Sequence, residues 1–423
     1  MSESKAERYD VLVAGAGAAG LCAAIQAARG GASVCLVEKY GIAGGTITAG
    51  GIPYPGIFHA WGRQVVAGIG WDLVEKTRKE SNDPLPDLYN TNLKEHWRYQ
   101  VNIDPMIFAT LCDEAFAEAG VTVKYHTMIG AVEVEEDGVA VTLCGKDGLY
   151  PVFSKRVIDC TGDANAAKMA GAELRVSDPC QPGTLCYYAT GYDPEKLDID
   201  AIKAAFDAAM ARGEVFKEDT GWGSGFNPHV LFSRGNNSNH ISGINAGDSE
   251  GRTKIEIAGR ASVLRLYRFL KKQPGLEKLE LKLNAAECGV RETRTIVGQA
   301  TVTAEEYAAG RKYDDAVSYA FYPIDLHDAK VGLDKRNLEP GVVPTVPRGA
   351  LIPRGTRHLL AAGRILSSDR LANSALRVQA TCMATGQAAG ALAALSVRLN
   401  VPAEQVPMAE LRKLLEENKA IVP

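Results

Sequence analysis

The alternation of apolar and small residues near the start of the chain predicts a strand, a turn, a helix and a second strand. Residues 9–14 (YDVLVA) form an apolar β-type run. GAGAAG at 15–20 follows at once, and residues 21–29 read as a helix of small residues closed by Gly30-Gly31. Residues 32–37 (ASVCLV) give a second strand ending in Glu38. Further on, Asp104-Pro105 supplies an N-cap and a first-turn proline for a helix that Gly120 stops near residue 119. Residues 121–125 predict a strand, and 131–136, 139–143 and 150–154 a three-strand meander with turns at Asp137-Gly138 and Asp147-Gly148. A separate strand is expected at 156–159, running into Thr161-Gly162-Asp163, and another at 358–362, ending in Gly363-Arg364. A loop is expected over 365–377, then an uncharged helix of small residues from 379 to about 397. Two more helices are expected at 200–212 and 251–270, and 221–247 reads as loop and strand.

The first forty residues carry specific chemistry. Gly15 permits a tight turn, Gly17 lets backbone approach a pyrophosphate, and Gly20 allows close helix–strand packing. The helix N-terminus over Ala18 and Ala19 offers unpaired N–H groups to phosphate. Glu38 stands 18 residues after Gly20, placed to accept a ribose hydroxyl. Strand, glycine turn, helix, strand and acid together predict dinucleotide binding.

The segment AGGTITAGGIPYPG at 43–56 indicates which dinucleotide. It is too glycine-rich for a regular element and too apolar for an ordinary solvated loop. Extended glycine backbone directly after the acid suits a bulky flat ring, which favours FAD over NAD.

Composition narrows the class without naming a substrate. The 423 residues allow two or three domains, and a net charge of −4 gives no basic signature for nucleic acid or anionic membrane. The nine cysteines show no CxxC pair or metal spacing, so they are expected as buried apolar residues in a reducing, cytoplasmic setting, with no metal site. The opening MSESKAERYD has no apolar signal region. The uncharged run 378–397 is long enough to span a membrane, but its Ala, Gly, Thr and Gln content predicts a closely packed buried helix.

These motifs, with VIDCTGDANAA at 157–167, RETRTIVGQATVT at 291–303, YPIDLHD at 322–328 and LLAAGRILSSDRLANSALRVQATCMATGQAAGALAAL at 359–395, resemble the FAD-dependent oxidoreductases related to the fumarate reductase and succinate dehydrogenase flavoproteins. The resemblance covers about half the chain. It implies an α/β architecture: a Rossmann-like, glutathione reductase-type FAD-binding domain interrupted by a smaller α+β substrate or cap domain. The FAD pieces would be 1–62, 100–175 and 346–423, and the cap 63–99 and 176–345. Implied cofactor contacts are Gly15, Gly17, Ala18, Ala19, Gly20, Glu38, Lys39, Gly44, Gly45, Thr46, Thr161, Gly162, Asp163, Gly363, Arg364, Ser374, Leu376, Arg377 and Val378. Gly44, Gly45 and Thr46 would line the isoalloxazine and the inner phosphate. Gly45 stands where succinate-type relatives place a flavin-linking His, so FAD is expected to be non-covalent. His59 is the one nearby candidate for a covalent link; otherwise it lines the pocket or sits on the surface.

Four residues are candidates for chemistry. Arg377, just before the uncharged helix, could stabilise flavin N1–O2 or clamp a substrate carboxylate; its structural alternative is an ion pair with Asp369 or Glu292. His327 is the best acid/base candidate. Arg294, in the Arg291-Glu292-Arg294 cluster, and His240, in the polar loop with Asn239, are further candidates beside solvated or structural roles. The expected function is two-electron hydride oxidation or reduction of a small organic molecule at flavin N5. The alternatives are an electron-transfer subunit serving a redox partner and a flavin monooxygenase. No Cys follows the second strand to serve a disulfide reductase, and the negative charge argues against a tRNA-modifying flavoenzyme. The catalytic segment of fumarate-type enzymes has no match. Oxygen, a quinone or a protein remain as acceptor classes, and self-association stays open.

Overall fold

Five parallel strands carry the fold. The computed structural model describes residues 6–89, 98–221, 223–328 and 332–423. Glu7–Ala14 (β1) lies in the middle, with Val34–Val37 (β2) and then Thr122–Lys124 (β3) on one side. On the other side lie Gly148–Asp159 (β6) and Leu359–Ala361 (β7). Met128–Val134 (β4) and Val139–Gly145 (β5) complete the sheet as an antiparallel meander against the first half of β6. The expected separate strands at 150–154 and 156–159 are therefore one. β6 pairs antiparallel with β5 through Ser154 and parallel with β1 from Val152, so a single extended segment serves both parts.

The chain leaves β1 toward β2 on one side and returns through β6 on the other. The C-terminal ends of β1 and β6, at Ala14 and Asp159, thus flank a topological switch point, where open α/β sheets form a crevice.

Two helices press together over this sheet. Ala18–Arg29 (α1) begins at Gly17, with no side chain capping its first N–H groups. Pro105–Ala119 (α2) is capped as the sequence predicts, with the Asp104 carboxylate accepting the N–H groups of Met106 and Ile107. Ser249–Leu270 (α3) begins at Asp248, whose carboxylate accepts the Gly251 N–H. The expected loop at 365–377 contains a helix, Arg370–Leu376 (α4), because Asp369 caps it by accepting the Ala372 N–H. Gln379–Leu399 (α5) lies against α1 so closely that a Cβ on Gly386 would stand 2.0 Å from the Ala19 carbonyl oxygen. This contact explains the small-residue composition of α5. It is the one described helix long and apolar enough to cross a membrane, and 89% of its most apolar window is buried inside the protein.

Burial separates several cores, of which two bear on the site. The larger joins α1 and α5 with Val65, Ile69 and Trp71, and with Val302, Tyr307, Phe321 and Val346. Val65, Ile69, Trp71, Val302, Tyr307 and Phe321, from stretches expected on the substrate side, thus share the core of α1 and α5. The other core runs from Tyr187 to Leu279 and includes Ile202, Phe206, Leu266 and Phe269. All nine cysteines are free thiols, and all but Cys144 are buried.

Candidate functional site

A cavity of about 890 Å³ opens at the switch point. One end is walled by Val37, Glu38, Lys39, Tyr40, Thr127 and Met128. The middle passes beneath the start of α1 and along Cys160-Thr161-Gly162-Asp163. The far end is walled by Tyr54, Arg291, Tyr322, Asp325, His327 and Arg377.

Backbone contacts shape the middle. Gly15 has φ of +94°, and a Cβ there would meet the Cys160 carbonyl oxygen at 2.7 Å. A Cβ on Gly20 would lie 1.7 Å from the Gly15 oxygen, which accounts for the third glycine by packing. The Gly44 N–H donates to the Ala16 carbonyl at 2.9 Å, laying the second glycine segment beside the first. A Cβ on Gly17 would meet only the Gly45 Cα, at 3.9 Å, so space remains open above the α1 N-terminus. Asp159 fixes the opposite wall: its carboxylate accepts from the Thr161 N–H, the Thr161 hydroxyl and the Ala167 N–H at 2.7–2.9 Å.

Glu38 is buried, and its carboxylate accepts the N–H groups of Ala16 at 2.7 Å and Tyr40 at 2.9 Å. Burial raises its pKa against these hydrogen bonds. The acid therefore ties the glycine turn to the end of β2 as well as facing the cavity.

A chain of charges crosses the cavity wall. Asp163 accepts from Arg364 at 2.8 Å, Arg252 at 3.0 Å and Thr293 at 2.9 Å. Arg252 reaches Glu287 at 3.5 Å, and Glu287 binds Lys39 at 2.8 Å and the Tyr40 hydroxyl at 2.6 Å. Arg252 and Glu287 were invisible in the sequence, because nothing local marks residues on α3 or near 287 as neighbours of Lys39 and Asp163.

At the far end, His327 Nε2 lies 3.2 Å from Asp325 Oδ2, and Arg377 Nη2 lies 3.7 Å from the same carboxylate oxygen. Burial pushes the Asp325 carboxyl up, but His327, Arg377 and Arg291 outweigh it and hold it at about 2. Burial, helped by Arg291, lowers His327 to about 4. His240 packs edge-on against His327 with ring centres 5.1 Å apart, and burial, Arg291 and His327 lower it to about 2.

The sequence profile of the FAD dependent oxidoreductases matches residues 10–415. The chain belongs to that family. Solved structures that the chain matches include a geranylgeranyl bacteriochlorophyll reductase-like protein from Thermoplasma acidophilum, at 16% identity, a TM-score of 0.44 and coverage of 98% of this chain and 84% of that one. The anhydrotetracycline hydroxylase OxyS from Streptomyces rimosus is matched at 20% identity and a TM-score of 0.30, over 42% of this chain and 38% of its own. The chain thus spans well under half the length of that hydroxylase. No curated protein sequence matches.

The family is FAD-dependent, and the cavity fits that cofactor. It borders the uncapped α1 N-terminus, and its volume lies within the usual range for small-molecule and cofactor sites, about 300–1,000 Å³. Of the residues named from the sequence, Gly15, Gly17, Ala18, Ala19, Glu38, Lys39, Gly45, Thr46, Thr161, Gly162, Asp163, Gly363, Arg364, Arg377 and Val378 line it. Gly20, Gly44, Ser374 and Leu376 do not. Gly20 packs α1 onto the turn, Gly44 joins the two glycine segments, Ser374 accepts the Asp325 N–H at 3.0 Å, and Leu376 is fully buried.

The catalytic candidates divide. His327 and Arg377 meet at the far end. His240 stands behind His327 and does not line the cavity. Arg294 lines it, but its guanidinium donates to the Asp163 carbonyl at 3.3 Å and Asn165 Oδ1 at 3.4 Å, on the charged wall away from His327. Its neighbour Arg291 is the one at the far end. Arg377 pairs with neither Asp369 nor Glu292: Asp369 caps α4, and Glu292 binds Arg370 at 3.2 Å. His59 neither lines the cavity nor lies on the surface. It is buried edge-on against Trp71 and Tyr89.

Proposed function

We propose that this chain is a dehydrogenase- or reductase-type flavoenzyme that moves a hydride between flavin N5 and a small organic substrate. The cavity carries the reading: it runs unbroken from Glu38, beneath α1, to the cluster of Asp325, His327 and Arg377. Bound FAD supplies the two-electron donor or acceptor. The chain's own residues supply binding and proton handling. The free N–H groups of α1 and the turn at Thr161-Gly162 hold the pyrophosphate, and Glu38 takes a ribose hydroxyl. Arg377 and the N-terminus of α5 place positive charge at the ring end.

Asp325, kept ionised, accepts the His327 Nε2–H and so fixes the ring tautomer. Beside that carboxylate, the neutral imidazole of His327 is the group that exchanges a proton with a substrate O–H or N–H in this reading. In this reading FAD is non-covalent, since His59 lies off the cavity. The separate core between Tyr187 and Leu279 belongs to the substrate-side unit inserted into the FAD-binding frame, and the kinship with fumarate reductase-type flavoproteins is one of architecture. The partner is a small molecule, with no nucleic acid or membrane, in the cytoplasm.

The test is a visible spectrum of purified protein before and after acid precipitation, followed by an anaerobic screen of small alcohols, acids, amines and enoates for flavin bleaching or reoxidation. Flavin colour that moves to the supernatant, and that a substrate then bleaches or restores, is expected. A protein that holds no flavin after reconstitution with FAD refutes the proposal.

A further inference from the structure

Arg291 is 8% exposed and lies on the cavity wall among Tyr322, Asp325, His327 and Arg377. Its guanidinium donates to the Pro182 carbonyl at 2.7 Å, Thr184 Oγ1 at 3.1 Å and Asn237 Oδ1 at 3.0 Å. All three acceptors are neutral. Its sequence neighbour Glu292 faces elsewhere, accepting from Arg370 and from the Gln181 N–H. Among the described residues that line this end, Asp325 is the one carboxylate, and it already serves His327 and Arg377. Two guanidiniums therefore share one carboxylate, beside histidines that burial keeps neutral. A buried positive charge that is only partly balanced is costly. The surplus calls for an anion from the ligand.

We propose that Arg291 receives the carboxylate of a small organic acid, and that the substrate is such an acid, with its reacting carbon presented toward His327. This rests on the reading that the far end of the cavity is the substrate site. The fixed bonds to Pro182, Thr184 and Asn237 hold the guanidinium plane, so the donors they leave meet a carboxylate without rearrangement. The anionic edge of a reduced flavin could draw on the same positive charge, and the test separates the two.

The experiment titrates oxidised holoenzyme with acetate, propionate and succinate, and in parallel with acetamide and propionamide. Ionic strength is held constant with chloride, and the visible flavin band is the readout. The carboxylates are expected to perturb the band and to bind at least about tenfold more tightly than the amides, as a charge-assisted pair requires. Arg291→Gln is expected to abolish that discrimination while retaining flavin, and Arg291→Lys to restore part of it. Equal affinity for acids and amides in the natural protein overturns the proposal, whether or not the variants fold. So does Arg291→Gln that still prefers carboxylates. A variant that keeps carboxylate binding but lowers the flavin midpoint potential gives the charge to the flavin and also overturns it. Protein that binds no FAD refutes the flavoenzyme reading itself, whereas flavin-loaded protein indifferent to carboxylates refutes only the organic-acid assignment.

Discussion

Asp325 Oδ2 and His327 Nε2 stand 3.2 Å apart on one strand, Ile324–Asp328, two residues from each other. Alternation along a strand sends both side chains to the same face, and that face borders the cavity. Ser374, at the end of α4, holds the strand in place by accepting the Asp325 N–H. The pair is thus set by local geometry and does not depend on flexible loops.

The ionisation of this pair makes stability depend on pH. His327 titrates at about 4 in the folded chain, against 6.5 for an ordinary histidine, because burial and Arg291 oppose its charge. Unfolded protein takes up that proton first as pH falls. Stability is therefore complete above about pH 6.5 and declines toward pH 4, by about 3 kcal/mol from His327 alone. His59 and His240, lowered to about 4 and 2 by burial, add losses in the same direction. Urea unfolding at steps between pH 7.5 and 4.5 checks this: His327→Gln should show a shallower pH dependence. The same variant should lose about 10²–10⁴ in kcat if the imidazole moves a proton.

Gly45 should be intolerant of any side chain. Its φ is +56°, and a Cβ would stand 2.8 Å from the Gly17 Cα. Gly45→Ala must lift the 43–51 segment off the start of α1, where the cofactor crosses. FAD affinity should fall at least about tenfold, together with a stability loss of about 1–3 kcal/mol. Gly31→Ala is the control. Gly31 has φ of +90° but nothing within 4 Å of a new Cβ, so it should cost about 1 kcal/mol and leave flavin content unchanged. The ratio of flavin to protein absorbance reads both.

The sequence made the cofactor end legible and left the substrate end partly hidden, for a physical reason. Gly15, Gly17, Gly20 and Glu38 lie within one βαβ unit, so spacing alone places them. The Asp104 cap and the Gly120 stop act over a few residues and are just as readable. The Asp369 cap is equally local, yet α4 does not show in the sequence, because its seven residues are too short to display a period. Arg291, Arg252 and Glu287 come to the cavity from segments far from Lys39 and Asp325 in sequence. Between Arg291 and Arg294, no local pattern says which one faces His327. That choice is made by the Pro182, Thr184 and Asn237 acceptors, more than fifty residues away.

Glu38→Gln tests whether the acid does more than meet a ribose. In the natural chain both carboxylate oxygens accept backbone N–H groups, from Ala16 and Tyr40. A glutamine sets its NH₂ against one of those donors inside a buried site. The turn before α1 should loosen, and FAD should bind about ten- to a hundredfold more weakly. Quenching of FAD fluorescence on titration with apoprotein measures it. An unchanged affinity would mean that the turn is held by its glycines alone.

Asp163 should matter more to the fold than either arginine that binds it. Burial pushes its carboxyl up, but Arg364 and Arg252 more than compensate and keep it ionised. Asp163→Asn leaves both guanidiniums facing a neutral amide inside the protein, so a loss of about 3–5 kcal/mol is expected. Arg252→Gln removes a single link: Asp163 keeps Arg364, and Glu287 keeps Lys39 and Tyr40. Its cost should be smaller, about 1–2 kcal/mol. Arg252 joins α3 to the wall formed by Asp163, so its loss should still speed the release of FAD. Thermal unfolding of the two variants with and without FAD gives the ranking. If Arg252→Gln proves as damaging as Asp163→Asn, the charges act as one inseparable unit, and the hierarchy argued from their partners is wrong.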